Sequence, residues 1–242
     1  MTKEKKPVVD VAENASQEGI EVNEKKAKAA QKKWPIVVGI VAVAAVAAGA
    51  GFWTWHEQPS FCSAICHTPM DAYGHTYFEG TTDKYGNELD AAGAHSMLAL
   101  AHKELNDSTC MSCHVPTLSE QISEGIGWVT GNYVIAGEQK NGSGMAYMDK
   151  RSLADLTEAR GVPADEFCLN EACHNMTRAD LKDTTAGLSE ARNPHNFQHG
   201  DYDCGVCHQA HAQSVNYCSS CHADAPIPEG WLSVSAAKQI QN

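Results

Sequence analysis

The stretch Asp203-Cys-Gly-Val-Cys-His-Gln-Ala-His-Ala-Gln-Ser-Val-Asn-Tyr-Cys-Ser-Ser-Cys-His222 repeats the order C-x-x-C-H twice in quick succession. Its cysteine pairs are Cys204 with Cys207, followed by His208, and Cys218 with Cys221, followed by His222. That order has a direct chemical reason. Two thiols at this spacing form thioethers with the two vinyl groups of one haem, and the adjacent imidazole reaches the iron from one face. Outward from this stretch the chain carries a third copy, Cys110-Met-Ser-Cys113-His114. Two expanded copies accompany it, Cys62-Ser-Ala-Ile-Cys66-His67 and Cys168-Leu-Asn-Glu-Ala-Cys173-His174. Together the five motifs use all 10 cysteines.

Two other readings of the cysteines compete. An exported chain with paired cysteines suggests disulfides, and Cys/His clusters suggest zinc. Neither gives a reason for a histidine directly after every pair. With 12 histidines in 242 residues, five such coincidences have a chance probability on the order of one in a few million. The motifs therefore predict five covalently bound haem c groups, with His67, His114, His174, His208 and His222 as proximal iron ligands.

Five irons accept up to five further axial ligands, and the histidines outside the motifs are the candidates. His95 and His102 fall seven apart on a helix predicted over Ala91–Leu105, which places both on one side across two turns. His195 and His199 precede the fourth motif, and His211 follows it. His56 and His75 read as packing or surface residues. Met70, shortly after His67, is the thioether candidate. Paired imidazoles give low potentials, whereas a methionine ligand raises them.

The apolar residues are unevenly placed. Trp34 to Trp55 contains no charged residue, and about twenty helical residues span roughly 30 Å, the thickness of a bilayer core. Lys25, Lys26, Lys28, Lys32 and Lys33 precede this run and acidic residues follow it. The positive-inside rule then puts the N-terminus in the cytoplasm and the rest outside the cell membrane, as a single-pass protein. Trp34, Trp53 and Trp55 sit where interfacial anchors belong. A cleaved signal peptide, with Ala48-Gly49-Ala50 as its processing site, is the competing reading. Both export the remainder.

The expected organisation is a flexible cytoplasmic tail over 1–33, a transmembrane anchor over 34–55 and an extracytoplasmic pentahaem domain over 56–242. The fold expected is mostly α with extensive loops and little β structure, because strand signals are weak. Ser152–Arg160 reads as a short helix and Gln139–Tyr147 as an exposed loop. Leu, Ile and Phe are scarce beyond the membrane run, so porphyrins rather than aliphatic side chains should fill the interior. Net charge is −12, and beyond Lys33 there are 24 acidic against 10 basic residues. That excludes nucleic acid as a partner and favours basic or mixed protein surfaces.

The anchor, the first motif almost at the membrane, and Cys110-Met-Ser-Cys113-His114-Val115-Pro116 resemble the NapC/NirT/NrfH cytochromes. Members of that family are quinol dehydrogenases that feed extracytoplasmic reductases. The resemblance implies oxidation of a membrane quinol, menaquinol or another, near Trp53, Trp55 and the first haem. It also implies electron relay in anaerobic respiration to a molybdenum, haem or flavin reductase. It supports Met70 as a ligand, since that family carries a methionine after its first Cys-His, and in some members the methionine replaces the histidine. The departures are specific. The family usually has four haems and a standard first spacer, and its Met lies one residue earlier. Its quinol-site Lys and Asp have no counterpart in Leu118–Gly137, where Glu120 and Glu124 are the charged residues. Five haems with expanded spacers are also similar to small cytochrome subunits paired with flavin reductases in anaerobic gut Actinobacteria. Two alternatives stand beside quinol oxidation: reduction of a small molecule at the first haem, and passive conduction from another protein. A homo-oligomer stays open.

Overall fold

The computed structural model describes residues 12–65, 67–114, 116–133, 135–138, 144–146, 153, 157, 161–189 and 192–240. For 12–32, 67–70, 135–138 and 144–146 it describes the backbone alone. The chain divides into two compact units, Met1–Thr54 and Trp55–Asn242.

The first unit consists of most of helix α1, Ala12–His56. The segment read as a cytoplasmic tail is helical from Ala12 onward. Its Ala, Lys, Glu and Gln are strong helix formers, and an apolar helix directly downstream removes the cost of nucleation. Lys33–His56 is long and apolar enough to cross a membrane, with a mean hydropathy of 2.3. Its side chains face outward: Trp34, Ile40, Val43, Val46 and Trp53 are all exposed.

The second unit is built from short helices. In chain order they are α2 (Pro59–Ile65), α3 (His67–Phe78), α4 (Ala91–His95), α5 (Leu98–Asn106), α6 (Cys110–Cys113) and α7 (Leu118–Thr130). They continue as α8 (Ala164–Cys168), α9 (Arg178–Thr185), α10 (Cys204–Cys207) and α11 (Val234–Ile240). Reciprocal caps start three of them: Thr109 with Ser112 at α6, Thr117 with Glu120 at α7, and Thr177 with Asp180 at α9. Strand is confined to two small pairs among the described residues. Ile135–Glu138 (β1) runs antiparallel to Gly144–Ala146 (β2), and Val215–Asn216 (β3) parallel to Leu232–Ser233 (β4). Part of the stretch read as a loop is therefore strand, since β2 lies within it. Gln139–Ser143 and Tyr147 lie outside the described residues, as does most of Ser152–Arg160.

The helix expected over Ala91–Leu105 is two helices. Met97 is extended (φ −80°, ψ 124°) and fully buried. The break has a partner that the local sequence does not show. Leu98 and Ala99 donate their first-turn amides to the carbonyls of Gln209 and Ala210 at 2.9 and 3.0 Å. Ser214 Oγ donates to Ser96 O at 2.5 Å, and Ser214 N to Ser96 Oγ at 3.2 Å. Orphan donors at a helix start need acceptors, and here the loop after the fourth motif supplies them.

The apolar core among the described residues is thin: Ala72, Tyr77, Ala94, Met97, Leu100, Ala212, Ala225 and Ala237. Five of these eight are alanine, so large side chains do not fill the interior. Backbone meets backbone closely instead. Gly230 adopts φ +76°, and a Cβ there would lie 2.0 Å from Ala92 O. Gly131, which caps α7 at φ +68°, faces open space. Gly230→Ala should therefore destabilise the domain well beyond the ~1–2 kcal/mol of left-handed backbone strain that Gly131→Ala incurs. Thermal unfolding of the two variants checks this: the Gly230→Ala midpoint should fall several degrees below that of Gly131→Ala.

Candidate haem-binding site

The described cysteines, Cys62, Cys110, Cys113, Cys168, Cys173, Cys204, Cys207, Cys218 and Cys221, are all free thiols. None of them is joined in a disulfide, so each keeps the group that a thioether needs. Each exact motif is one tight turn. The histidine amide donates to the carbonyl of the first cysteine, at 2.8 Å for His114 to Cys110 and 2.9 Å for both His208 to Cys204 and His222 to Cys218. Two of the turns carry side-chain caps. Thr109 N donates to Ser112 Oγ at 3.0 Å, and Asn216 Oδ1 accepts from Cys218 N at 3.0 Å. In the fifth motif the turn is a short 3-10 helix, Tyr217–Ser220, that ends on Cys221. Cys113 and Cys221 are exposed at the ends of their turns, open to a haem vinyl group. The Cys221 sulfur accepts from Ser220 Oγ at 3.6 Å.

The expanded third motif closes in the same way, His174 N to Cys168 O at 3.1 Å. Its extra residues are looped out and held by Asn170. That side chain accepts from Ala172 N and Cys173 N (2.9 and 3.1 Å) and donates to Glu166 O and Phe167 O (3.0 and 3.1 Å). The longer spacer thus reaches the same cysteine–histidine closure. In the first motif Cys62 is described, Cys66 lies outside the described residues, and so do the side chains of His67 and Met70.

Four motif histidines each face a histidine from elsewhere in the chain. Ring centres are 6.1 Å apart for His114 and His211, and 6.0 Å for His174 and His102. They are 6.3 Å apart for His208 and His195, and 6.1 Å for His222 and His199. Two imidazoles on opposite sides of one metal, each nitrogen about 2.0 Å from it, have centres about 6.2 Å apart. Three pairs are nearly parallel, within 21°, and the fourth is turned to 79°. Rotation about a metal–nitrogen axis permits both. The residues therefore fit iron between them, and the thin aliphatic core is consistent with an interior that porphyrins would fill.

Three of the rings are held toward the neutral form. Burial pushes His211 down to about 3, helped by His114 and Lys84. Burial also pushes His208 down to about 4, helped by His195, His174 and His102. His195 is lowered by burial and by the Arg178 guanidinium. A neutral imidazole keeps the lone pair that a metal needs. The far nitrogens are occupied: His102 Nδ1 donates to Leu98 O at 2.8 Å, and the Nδ1 atoms of His211 and His195 meet Thr76 Oγ1 and Thr185 Oγ1 at 2.6 and 3.2 Å. Such outer partners fix which nitrogen faces the metal.

Neighbouring motifs are tied together. Cys110 shares a thiol hydrogen bond with Cys62, as Cys168 does with Cys204. Arg178 forks onto Asp165 ahead of the third motif and donates to Tyr202 O ahead of the fourth at 2.8 Å. Arg192 pairs with Asp224 at 3.0 Å, joining the approach to His195 with the turn after His222. Trp231 stands edge-on to His208, with centres 5.1 Å apart.

His95 stands apart from the other candidates. Its helix ends at the break before Met97, and its Nδ1 meets Glu104 at 3.1 Å on a largely exposed side chain. The break removes the shared helical face that paired it with His102. His75 bonds Glu79 at 3.0 Å, and His56 packs on Phe61. Trp55 Nε1 donates to Ser60 Oγ at 3.3 Å and its ring meets Phe61 edge-on, while Trp53 is exposed. Residue patterns gave no sign of Thr76, Thr185, Arg178 or Arg192. Asn170 alone carried a signal, as the turn-forming residue inside the expanded spacer.

Residues 153–223 match the family model described as Cytochrome c3. The cytochrome c-type protein Cgr1 of Eggerthella lenta is 55% identical over 213 residues, covering 86% of this chain and 91% of that protein. No solved structure matches the chain.

Asn170→Ala should leave the spacer of the third motif without its clasp and lower attachment at that site alone. Intact-mass analysis of the mature protein would then show a fraction one haem lighter, while Asn216→Ala, at an exact motif, shows less.

Proposed function

The chain belongs to the c-type cytochrome family of Cgr1, and on that premise we propose that it is a pentahaem relay from the membrane quinol pool to an extracytoplasmic reductase. The observation that carries this reading is the set of four histidine pairs, each joining a motif to a residue outside it. A site made to bind and reduce a small molecule keeps one axial position open. Paired imidazoles close both, which suits electron carriage and disfavours a terminal reductase at those four sites.

Bound haem c supplies one-electron oxidation and reduction, at low potential under two imidazoles. The chain's own residues do the rest. Five cysteine pairs, from Cys62 with Cys66 to Cys218 with Cys221, would fix the cofactors covalently. Four irons would be held by His114 with His211, His174 with His102, His208 with His195 and His222 with His199. His67 would hold the first iron, with Met70 as the candidate second ligand. Arg178, bonded to Asp165 and to Tyr202 O, and Arg192, paired with Asp224, hold the approaches to successive motifs together, as one-electron transfer between their sites requires.

Lys33–His56 serves as the anchor, with the lysines before it in the cytoplasm and the haem domain outside. Quinol, menaquinol or another, is oxidised where the chain leaves the bilayer, near Trp53, Trp55 and the first motif. The acidic excess beyond Lys33 steers a reductase of complementary charge. The molybdenum, haem or flavin class of that reductase is set by the partner's own surface.

Two measurements test the proposal. Replacing His102, His195, His199 or His211 by Ala should each open one iron to carbon monoxide in the reduced protein, seen as a new ligand-bound absorbance band, while His95→Ala opens none. In membranes given a menaquinol analogue, loss of the first motif through Cys62→Ala should abolish quinol-dependent haem reduction. Undiminished reduction in that variant would place quinol oxidation elsewhere.

A further inference from the structure

We propose that Thr76 is a positioning residue for the second iron site, holding His211 in the tautomer that binds metal and setting how strongly it donates. The inference rests on the reading that His114 and His211 share one iron. Thr76 is fully buried on α3, and its Oγ1 lies 2.6 Å from His211 Nδ1. The hydroxyl has a single proton, which it donates to Tyr73 O at 2.7 Å. Toward His211 the oxygen can therefore only accept. Nδ1 must carry the ring proton, which leaves the Nε2 lone pair for the metal.

The bond also sets the electron density of the ring. An imidazole whose N–H is drawn into a short bond acquires imidazolate character, donates more strongly and favours ferric over ferrous iron. The corresponding bond at His195 is longer, 3.2 Å to a Thr185 hydroxyl that has both Leu181 O and Asn193 Oδ1 within reach. At His102 the acceptor is the helix's own carbonyl. Thr76 is thus a dedicated acceptor supplied from a distant element. That element, α3, begins at His67 of the first motif. The Tyr73 ring, on the same helix, meets His211 edge-on at 5.1 Å. The helix that starts at the first iron site therefore holds the ligand of the second.

The test uses the full-length holoprotein, with total haem, low-spin ferric resonances and stepwise midpoint potentials as readouts. Thr76→Val keeps the shape and removes the acceptor. It should retain haem content and raise one midpoint alone, by about 59 mV for a roughly tenfold weaker preference for the ferric ion. Thr76→Ser should restore the wild-type value. If Thr76→Val loses haem, Thr76→Ala, which adds no bulk, is read for the same shift. His211→Ala separates the two layers of the inference. Should it abolish one low-spin signal while the Thr76 variants leave every potential and resonance unchanged, the positioning role is wrong and the ligand assignment stands. Should His211→Ala leave all low-spin signals intact, the pairing itself is wrong.

Discussion

An imidazole pair requires two chain segments to meet across one metal, and on the proposed ligation that requirement organises the domain. Four such meetings are present, at centre separations of 6.0–6.3 Å. They explain features that make little sense for a self-sufficient core. The buried apolar side chains are mostly alanine, and the described strands reach four residues at most. Polypeptide of this kind wraps a cofactor array more than it packs on itself. On the proposed ligation, loss of one imidazole removes a crosslink between segments as well as a ligand.

Around the pairs lies a layer of hydrogen bonds that orients them. Leu98 O, Thr76 and Thr185 occupy the far nitrogens of three rings. Asn170 shapes the irregular third motif to the closure seen in the regular ones. Arg178 and Arg192 fasten the approaches to successive motifs. The Arg178 fork onto Asp165 is partly exposed, so its contribution is geometric before it is energetic.

The motifs were legible in the sequence because thioether chemistry demands fixed spacing. His102, His195, His199 and His211 were legible as candidates because histidine is rare and these lie close to motifs. Their partners were not, since pairing is decided by tertiary contact. His95 shows the limit well. Its spacing from His102 suggested a common helical face, yet Ser96 and Met97 break the helix to meet the loop at 209–214. Helix propensity favoured continuity there, and contacts from a distant segment overrode it. β2 escaped for a similar reason: its Gly-Met-Ala sequence has no strand preference, and pairing with β1 defines it. Thr76 carries no local pattern at all, because what matters is its depth in the fold.

The pairing pattern also bears on how the molecule is made. His195 with His208 and His199 with His222 join near neighbours, whereas His102 with His174 and His114 with His211 join segments far apart and interleaved along the chain. Synthesis runs from the N-terminus, so Cys110 and Cys113 are made well before His211. On this assignment the second site waits in a provisional state until the chain reaches His211, while the fourth and fifth sites each need only a short further stretch of chain. Closing the longest loop, from His114 to His211, is a slow step set by chain topology. The second site would thus be attached ahead of the third and fourth yet completed after them, while the others keep one order along the polypeptide.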